Sequence, residues 1–140
     1  MVEIELKPDI RRPNKFMVKE NEQGIPHFHW RATSHSHLWR PPTDVLETEE
    51  AIIVRVEIAG MQNVNFSVTL DEHSLVIGGI RPDQANRRAF HQMEIRFGEF
   101  ITEVELHWAV DTQSIEAEYK DGFLWVTLPK MKPYSVKIES

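Results

Sequence analysis

From residue 42 to residue 130 the apolar positions recur at every second residue, in short runs separated by turn-forming residues. The clearest run is Ile115-Glu-Ala-Glu-Tyr-Lys-Asp-Gly-Phe-Leu-Trp-Val-Thr-Leu-Pro-Lys130, where two alternating stretches flank Asp121-Gly122 and Pro129 stops the second. Asp-Gly supplies the positive φ angles of a tight hairpin, and strand side chains alternate, so Leu124, Val126 and Leu128 share one face. Upstream, Thr43–Thr48 reads as a short strand, and the β-branched run Ile52–Ile58 ends at Ala59-Gly60. Phe66–Leu70 alternates cleanly, Leu75–Ile77 runs into Gly78-Gly79, and Phe90–Ile95 and Phe100–Leu106 complete the set. Short strands at about ten-residue spacing, with no helical stripe among them, predict an all-β fold of the immunoglobulin-like antiparallel β-sandwich type. The polar residues 82–89 make the longest excursion between strands.

The flanks read differently. Residues 1–41 hold Pro8, Pro13, Gly24, Pro26, Pro41 and a Ser-His-Ser-His cluster, yet also Phe16, Phe28, Trp30 and Trp39. A polar linker lacks such rings and a packed domain shows longer periodicity, so this stretch reads as a flexible N-terminal arm that folds only against something else. Residues 131–140 form a short C-terminal tail with one isolated apolar pair, Val136 and Ile138, which point the same way in an extended chain. Burying such a pair is worth about 3 to 5 kcal/mol before ordering costs, which suits a reversible contact. The expected organisation is therefore an arm over 1–41, one domain over 42–130 and a tail over 131–140.

Charge and composition narrow the function. The net charge of −6 divides as +2 over 1–41, −9 over 42–130 and +1 over 131–140. An acidic centre repels phosphate backbones, which argues against nucleic acid, while the basic ends suit the acidic middles of neighbouring copies. The chain has no cysteine, which excludes disulfides and thiolate chemistry and fits a reducing cytoplasm. Neither a membrane span nor a secretory leader is expected, because no long apolar run exists and the first residues alternate charge with hydrophobe.

Catalytic chemistry finds no support. Gly78-Gly79 lacks the helix that phosphate-binding loops need, no nucleophile elbow is present, and Glu47, Glu49 and Glu50 read as a solvated strand edge. No catalytic residue and no cofactor is assigned. His27-Phe-His29 and His35-Ser-His37 have a spacing that chelates a divalent ion in extended chain, but they lack cysteines or a rigid frame, so no metal site is assigned.

Several blocks together resemble the small heat-shock protein (alpha-crystallin) family. They are Asp44-Val45 with Glu47-Thr48, Val54-x-Val56-Glu57-Ile58-x-Gly60, Leu75-x-Ile77-x-Gly79-x-Arg81, Gly98-x-Phe100 and Ala117-x-x-x-Asp121-Gly122-Phe123-Leu124. Val136-Lys-Ile138 resembles the family's tail motif, and Trp125 stands where a small threonine is common. The resemblance implies a two-sheet sandwich that dimerises and joins into larger homo-oligomers. In bacterial and plant relatives a strand crosses between partners. Here that implies Phe90, His91, Met93 and Glu94 pairing with the partner's strand at Asp44 and Val45. It further implies a groove for the tail pair framed by Phe66, Val68, Leu70, Leu124, Val126 and Leu128. The function implied is an ATP-independent holdase chaperone binding partly unfolded clients through Phe16, Phe28, Trp30 and Trp39. An adaptor or co-chaperone of the same fold that binds one partner is the alternative.

Overall fold

A computed structural model describes residues 2–9, 12–20, 38–71, 73–84, 89–132 and 136–139. Among these residues nine strands follow in chain order: β1 (Val2–Asp9), β2 (Arg12–Glu20), β3 (Thr43–Glu47), β4 (Ala51–Glu57), β5 (Phe66–Leu70), β6 (Ser74–Arg81), β7 (Gly98–Glu105), β8 (Glu116–Lys120) and β9 (Phe123–Pro129). All pairings between them are antiparallel, and the lateral order is β3-β4-β9-β8-β2-β1-β5-β6-β7. A single turn of 3-10 helix, Thr112–Ser114, leads into β8 and is capped by the Asp111 carboxylate.

Two half-sheets, β3-β4-β9-β8 and β5-β6-β7, face each other over one core. β4 and β9 bury Ile52, Val54, Val56, Leu124, Val126 and Leu128 completely, and β5 to β7 answer with Phe66, Val68, Leu75, Ile77 and Phe100. Each such side chain contributes about 1.5–3 kcal/mol on leaving water, so this alternating set is what holds the halves together. Rings lock across the gap: Phe66 lies 5.5 Å from Tyr119 of β8, and 6.3 Å from Phe100 of β7. The β8–β9 hairpin turns where expected, with Asp121 at φ 53° and Gly122 at φ 85°, both in the left-handed region.

Two elements depart from the expectation. The strand expected over Phe90–Ile95 does not form in the single chain, where these residues are without regular structure and Phe90, Met93 and Ile95 are 54%, 63% and 63% exposed. A strand needs a ladder partner, and none of the chain's own described edges is offered to it. Conversely, β1 and β2 form inside the stretch read as an arm. Their alternation of Val2, Ile4 and Leu6 with Glu3, Glu5 and Lys7 is a strand pattern, and it acquires a fold because β5 and β8 lend it edges.

Candidate functional site

Binding on a β scaffold happens at edges and on uncovered faces, so the candidate site is the set of strand edges and what lies on each. The opening between the half-sheets is framed by β5 and β8. β1 runs beside β5 from Val2–Leu70 to Leu6–Phe66, while β2 meets β8 at Lys15–Glu118 and Phe16–Ala117. The hairpin thus completes the sheet on this side. Phe66, Val68, Leu70, Leu124, Val126 and Leu128, expected to frame a tail groove, are all core residues with at most 3% of their surface exposed. β9 sits between β4 and β8, so its three leucine and valine side chains lie one strand in from the opening. Ala117 and Tyr119 of β8 also belong to that boundary and were not among the expected groove residues, although their alternation with Glu116 and Glu118 was the available signal.

The β7 edge is covered by the chain's own Leu38–Arg40. Trp39 N donates to Glu99 O at 3.3 Å and Ile101 N donates to Trp39 O at 2.9 Å, making a parallel bridge at Phe100. The Trp39 ring packs 5.8 Å from Phe100 and lies 4.4 Å beneath the Arg81 guanidinium, whose other side faces Phe97 at 5.2 Å. Trp39, expected to contact clients, thus lays its ring against its own domain in the single chain, with its indole Nε1 buried and without a hydrogen-bond partner among the described residues. Arg81 itself is held in place by donating to Arg96 O, and burial pulls its pKa down.

The β3 edge carries no strand among the described residues. Asp44 is held by Arg55 of β4, and Val45 and Leu46 are exposed at 45% and 39%. Pro42, Asp44, Arg55, Glu57, Phe123 and Trp125 line an open hollow of about 470 Å³ on the outer face beside this edge. Trp125 stands on that outer face as alternation requires, with Arg55 5.4 Å from its ring and Phe123 at 6.4 Å. At the far end of β3, Glu47 accepts from Lys130 Nζ at 2.7 Å, and this hydrogen bond, with the charge of the same lysine, holds the Glu47 carboxyl below the ordinary glutamate range.

The remaining expected residues divide simply. Val136 and Ile138 lie in the tail, without regular structure, at 68% and 88% exposure. Phe90, His91, Met93 and Glu94 are all exposed and stand in no ladder with Asp44 and Val45 of the same chain. Phe16 lies on β2 at the register position opposite Ala117. Phe28, Trp30, His27, His29, His35 and His37 fall outside the described residues. Among the described residues no helix is long and apolar enough to cross a membrane.

A family model for the Hsp20/alpha crystallin family matches residues 44–139. The "Probable 15 kDa heat shock protein" of Leptospira interrogans is 32% identical over 99 residues, covering 71% of this chain and 76% of that protein. Small heat shock protein C4 of Rickettsia felis is 26% identical, over 93% of this chain and 88% of its own length. Heat shock protein 16.0 from Schizosaccharomyces pombe, a solved structure, superposes with a TM-score of 0.60 at 28% identity, covering 72% of this chain and 96% of that one. Sandwich, hairpin block and the matched span from Asp44 to Glu139 agree, and the chain belongs to the small heat-shock protein, or Hsp20/alpha-crystallin, family.

Proposed function

We propose that this chaperone works as an ATP-independent holdase, capturing partly unfolded proteins on apolar surface and keeping them from aggregating. One observation carries the reading. A chain of this family with a packed core still leaves Val45 and Leu46 of the open β3 edge, Phe90, Met93 and Ile95 of the segment between β6 and β7, and Val136 and Ile138 of the tail in water. Apolar side chains set beside one another on a strand edge, in one segment and in a tail suit surfaces that other chains cover. Some partners are other copies. Phe90, His91, Met93 and Glu94 cross to the β3 edge of a second chain at Asp44 and Val45, and Val136 with Ile138 docks on a neighbouring dimer, giving a larger homo-oligomer. The crystal structure of a small heat-shock protein from Xylella fastidiosa reveals a distinct high order structure, in keeping with assembly beyond the dimer.

The other partners are clients, which expose hydrophobic area when heated and bind by mass action. Phe16, Phe28 and Trp30 of the segment before the domain are the client contacts. Neither nucleotide nor metal takes part, and the chain works in the cytoplasm. The test is light scattering of a heat-labile substrate without nucleotide. Suppression near equimolar ratio is the expected result, and undiminished scattering at several-fold excess overturns the proposal.

A further inference from the structure

We propose that the outer face of β4, β9 and β8 binds the same face of a second copy, the two copies being related by a two-fold axis that runs along β9. The contact goes beyond the holdase reading, because it joins copies to each other and needs no client.

Register sets the pattern on this face. Directly opposed residues of antiparallel strands share a sheet face, and so do residues two apart on one strand. Across β4, β9 and β8 one row reads Glu57–Phe123–Lys120, and the next reads Arg55–Trp125–Glu118. Each row has a ring at its centre and opposite charges at its ends. The core takes the other face of these strands through Val56, Leu124 and Tyr119. Phe123 and Trp125 are left half-buried on the outer face, their rings 6.4 Å apart. The sandwich itself does not call for an indole here, since a small threonine is common at the position of Trp125 in the family.

A two-fold axis along β9 makes this pattern complementary to itself. Such an axis keeps each row at its own level and reverses its order from strand to strand, so β4 of one copy lies over β8 of the other. Glu57 then meets Lys120 of the second copy, Arg55 meets its Glu118, and Phe123 and Trp125 face their own counterparts. Each of these charge pairs occurs twice, as a two-fold contact requires. Among the described residues Glu57, Glu118 and Lys120 form no ion pair within their own chain. Arg55 gives Nε and Nη2 to Asp44, which leaves Nη1 for a second carboxylate. The hollow beside Trp125 lies opposite β8 of the second copy. Pro42, Phe123 and Trp125 give it apolar walls for the stem of that Lys120, and Glu57 is placed to receive the ammonium.

A two-fold axis across the strands would also match the charges. It lays hollow against hollow, however, and carries the Ile53–Thr127 row past the Asp121-Gly122 turn of the second copy, so it covers less surface. Three strands about 4.8 Å apart and three rows about 7 Å apart give a footprint of about 300 Å² per copy. That is well under the roughly 800 Å² per partner of a standard stable complex. The contact is therefore weak between free chains and counts where copies are already concentrated.

The chain has no cysteine, so a single introduced thiol has no competitor. Thr127→Cys places one on β9 in the row beside Trp125, where the axis brings the two copies of residue 127 face to face. Stacked sheets lie about 10 Å apart, too far for a disulfide and within reach of a short bis-maleimide. Crosslinked pairs on a denaturing gel are expected, rising with protein concentration, while Glu103→Cys on β7 gives about tenfold fewer. In the Thr127→Cys background, Glu57→Lys or Lys120→Glu sets like charges against each other and lowers crosslinking about tenfold. The double exchange, Glu57→Lys with Lys120→Glu, restores it. Glu105→Lys, the same change of charge on the other half-sheet, leaves it unchanged. Absence of crosslinks at every concentration overturns the contact, and so does a yield that the charge reversals leave unaltered. Client scattering plays no part in the readout, so failure of the holdase reading and failure of this contact are told apart.

Discussion

The hydroxyl of Thr43 on β3 lies 2.8 Å from the hydroxyl of Thr102 on β7, so the first and last strands of the lateral order are tied to each other. Thr102 is 1% exposed and also accepts from Arg40 Nε at 3.2 Å, and Thr43 has a second bond to Pro41 O at 3.0 Å. This small polar cluster closes the sandwich on the side away from the hairpin. Thr102→Val keeps the shape but removes the acceptor of the Arg40 Nε–H and the partner of the Thr43 hydroxyl, which keeps its bond to Pro41 O. A loss of about 0.5–1.5 kcal/mol follows, readable as a shift in the urea midpoint at constant slope. An unchanged midpoint removes the cluster from the account.

Tyr119 ties β8 to the end of β4. Its hydroxyl donates to Ile58 O at 2.9 Å and accepts from Met61 N at 3.2 Å, in a buried setting. Tyr119→Phe leaves both backbone groups without that partner, and a loss of about 2–3 kcal/mol is expected in equilibrium unfolding. A cost below about 0.5 kcal/mol, the range of ordinary surface changes, contradicts this bond network.

Gly79 and Gly98 are glycines for opposite reasons. A methyl on Gly79 would stand 2.8 Å from Phe100 Cζ and 3.3 Å from Met61 Cε, and the Phe100 ring is itself boxed in by Trp39 and Phe66. Gly98 has open space around it but φ of +88°. Gly79→Ala is expected to cost about 1–3 kcal/mol through overpacking, and Gly98→Ala about 1 kcal/mol through backbone strain. Adding Phe100→Leu should recover part of the first loss and none of the second. Thermal melts of the single and double variants check both.

The Glu47–Lys130 pair makes stability depend on pH in one direction. The Lys130 hydrogen bond depresses the folded-state pKa of Glu47, so its contribution is complete above the ordinary glutamate range and lost as pH falls through the depressed value. The melting temperature of the wild-type protein should therefore exceed that of Glu47→Gln at neutral pH, with the gap shrinking on acidification. A gap independent of pH refutes the pairing. The effect is small, since the pair sits at the surface and salt screens it.

Assembly should come apart in two separate steps. Val136→Ala with Ile138→Ala is expected to reduce the particle to dimers on a sizing column, and Met93→Glu, which places a charge where an exposed apolar side chain stands, to reduce it further to monomers. Identical elution of either variant with wild type removes the corresponding contact.

The sandwich was legible in the chain because its signals are local. The Asp121-Gly122 turn, the β-branched run at Ile52–Val56 and the period-two face of Phe66, Val68 and Leu70 each name a strand and its buried side without knowledge of neighbours. The seat of Trp39 was not legible for a matching reason: an aromatic ring in a proline-rich stretch looks unattached until Phe100 and Arg81, far along the chain, are seen to receive it.

Periodicity and turn chemistry, then, were enough to mark the strands and faces of the sandwich, since these depend on residues within reach of one another along the chain, while the family was carried by the resemblance of its motif blocks. Which edges are open and which are covered was decided only by the tertiary structure. The alternation at Val2–Leu6 is the same whether β1 lies in solvent or beside β5, and Phe90–Ile95 carries a strand pattern whether or not an edge is present to receive it. A strand's partner is chosen by contacts distant in sequence, so the hairpin's seat, unlike the hairpin, is not written in its own residues.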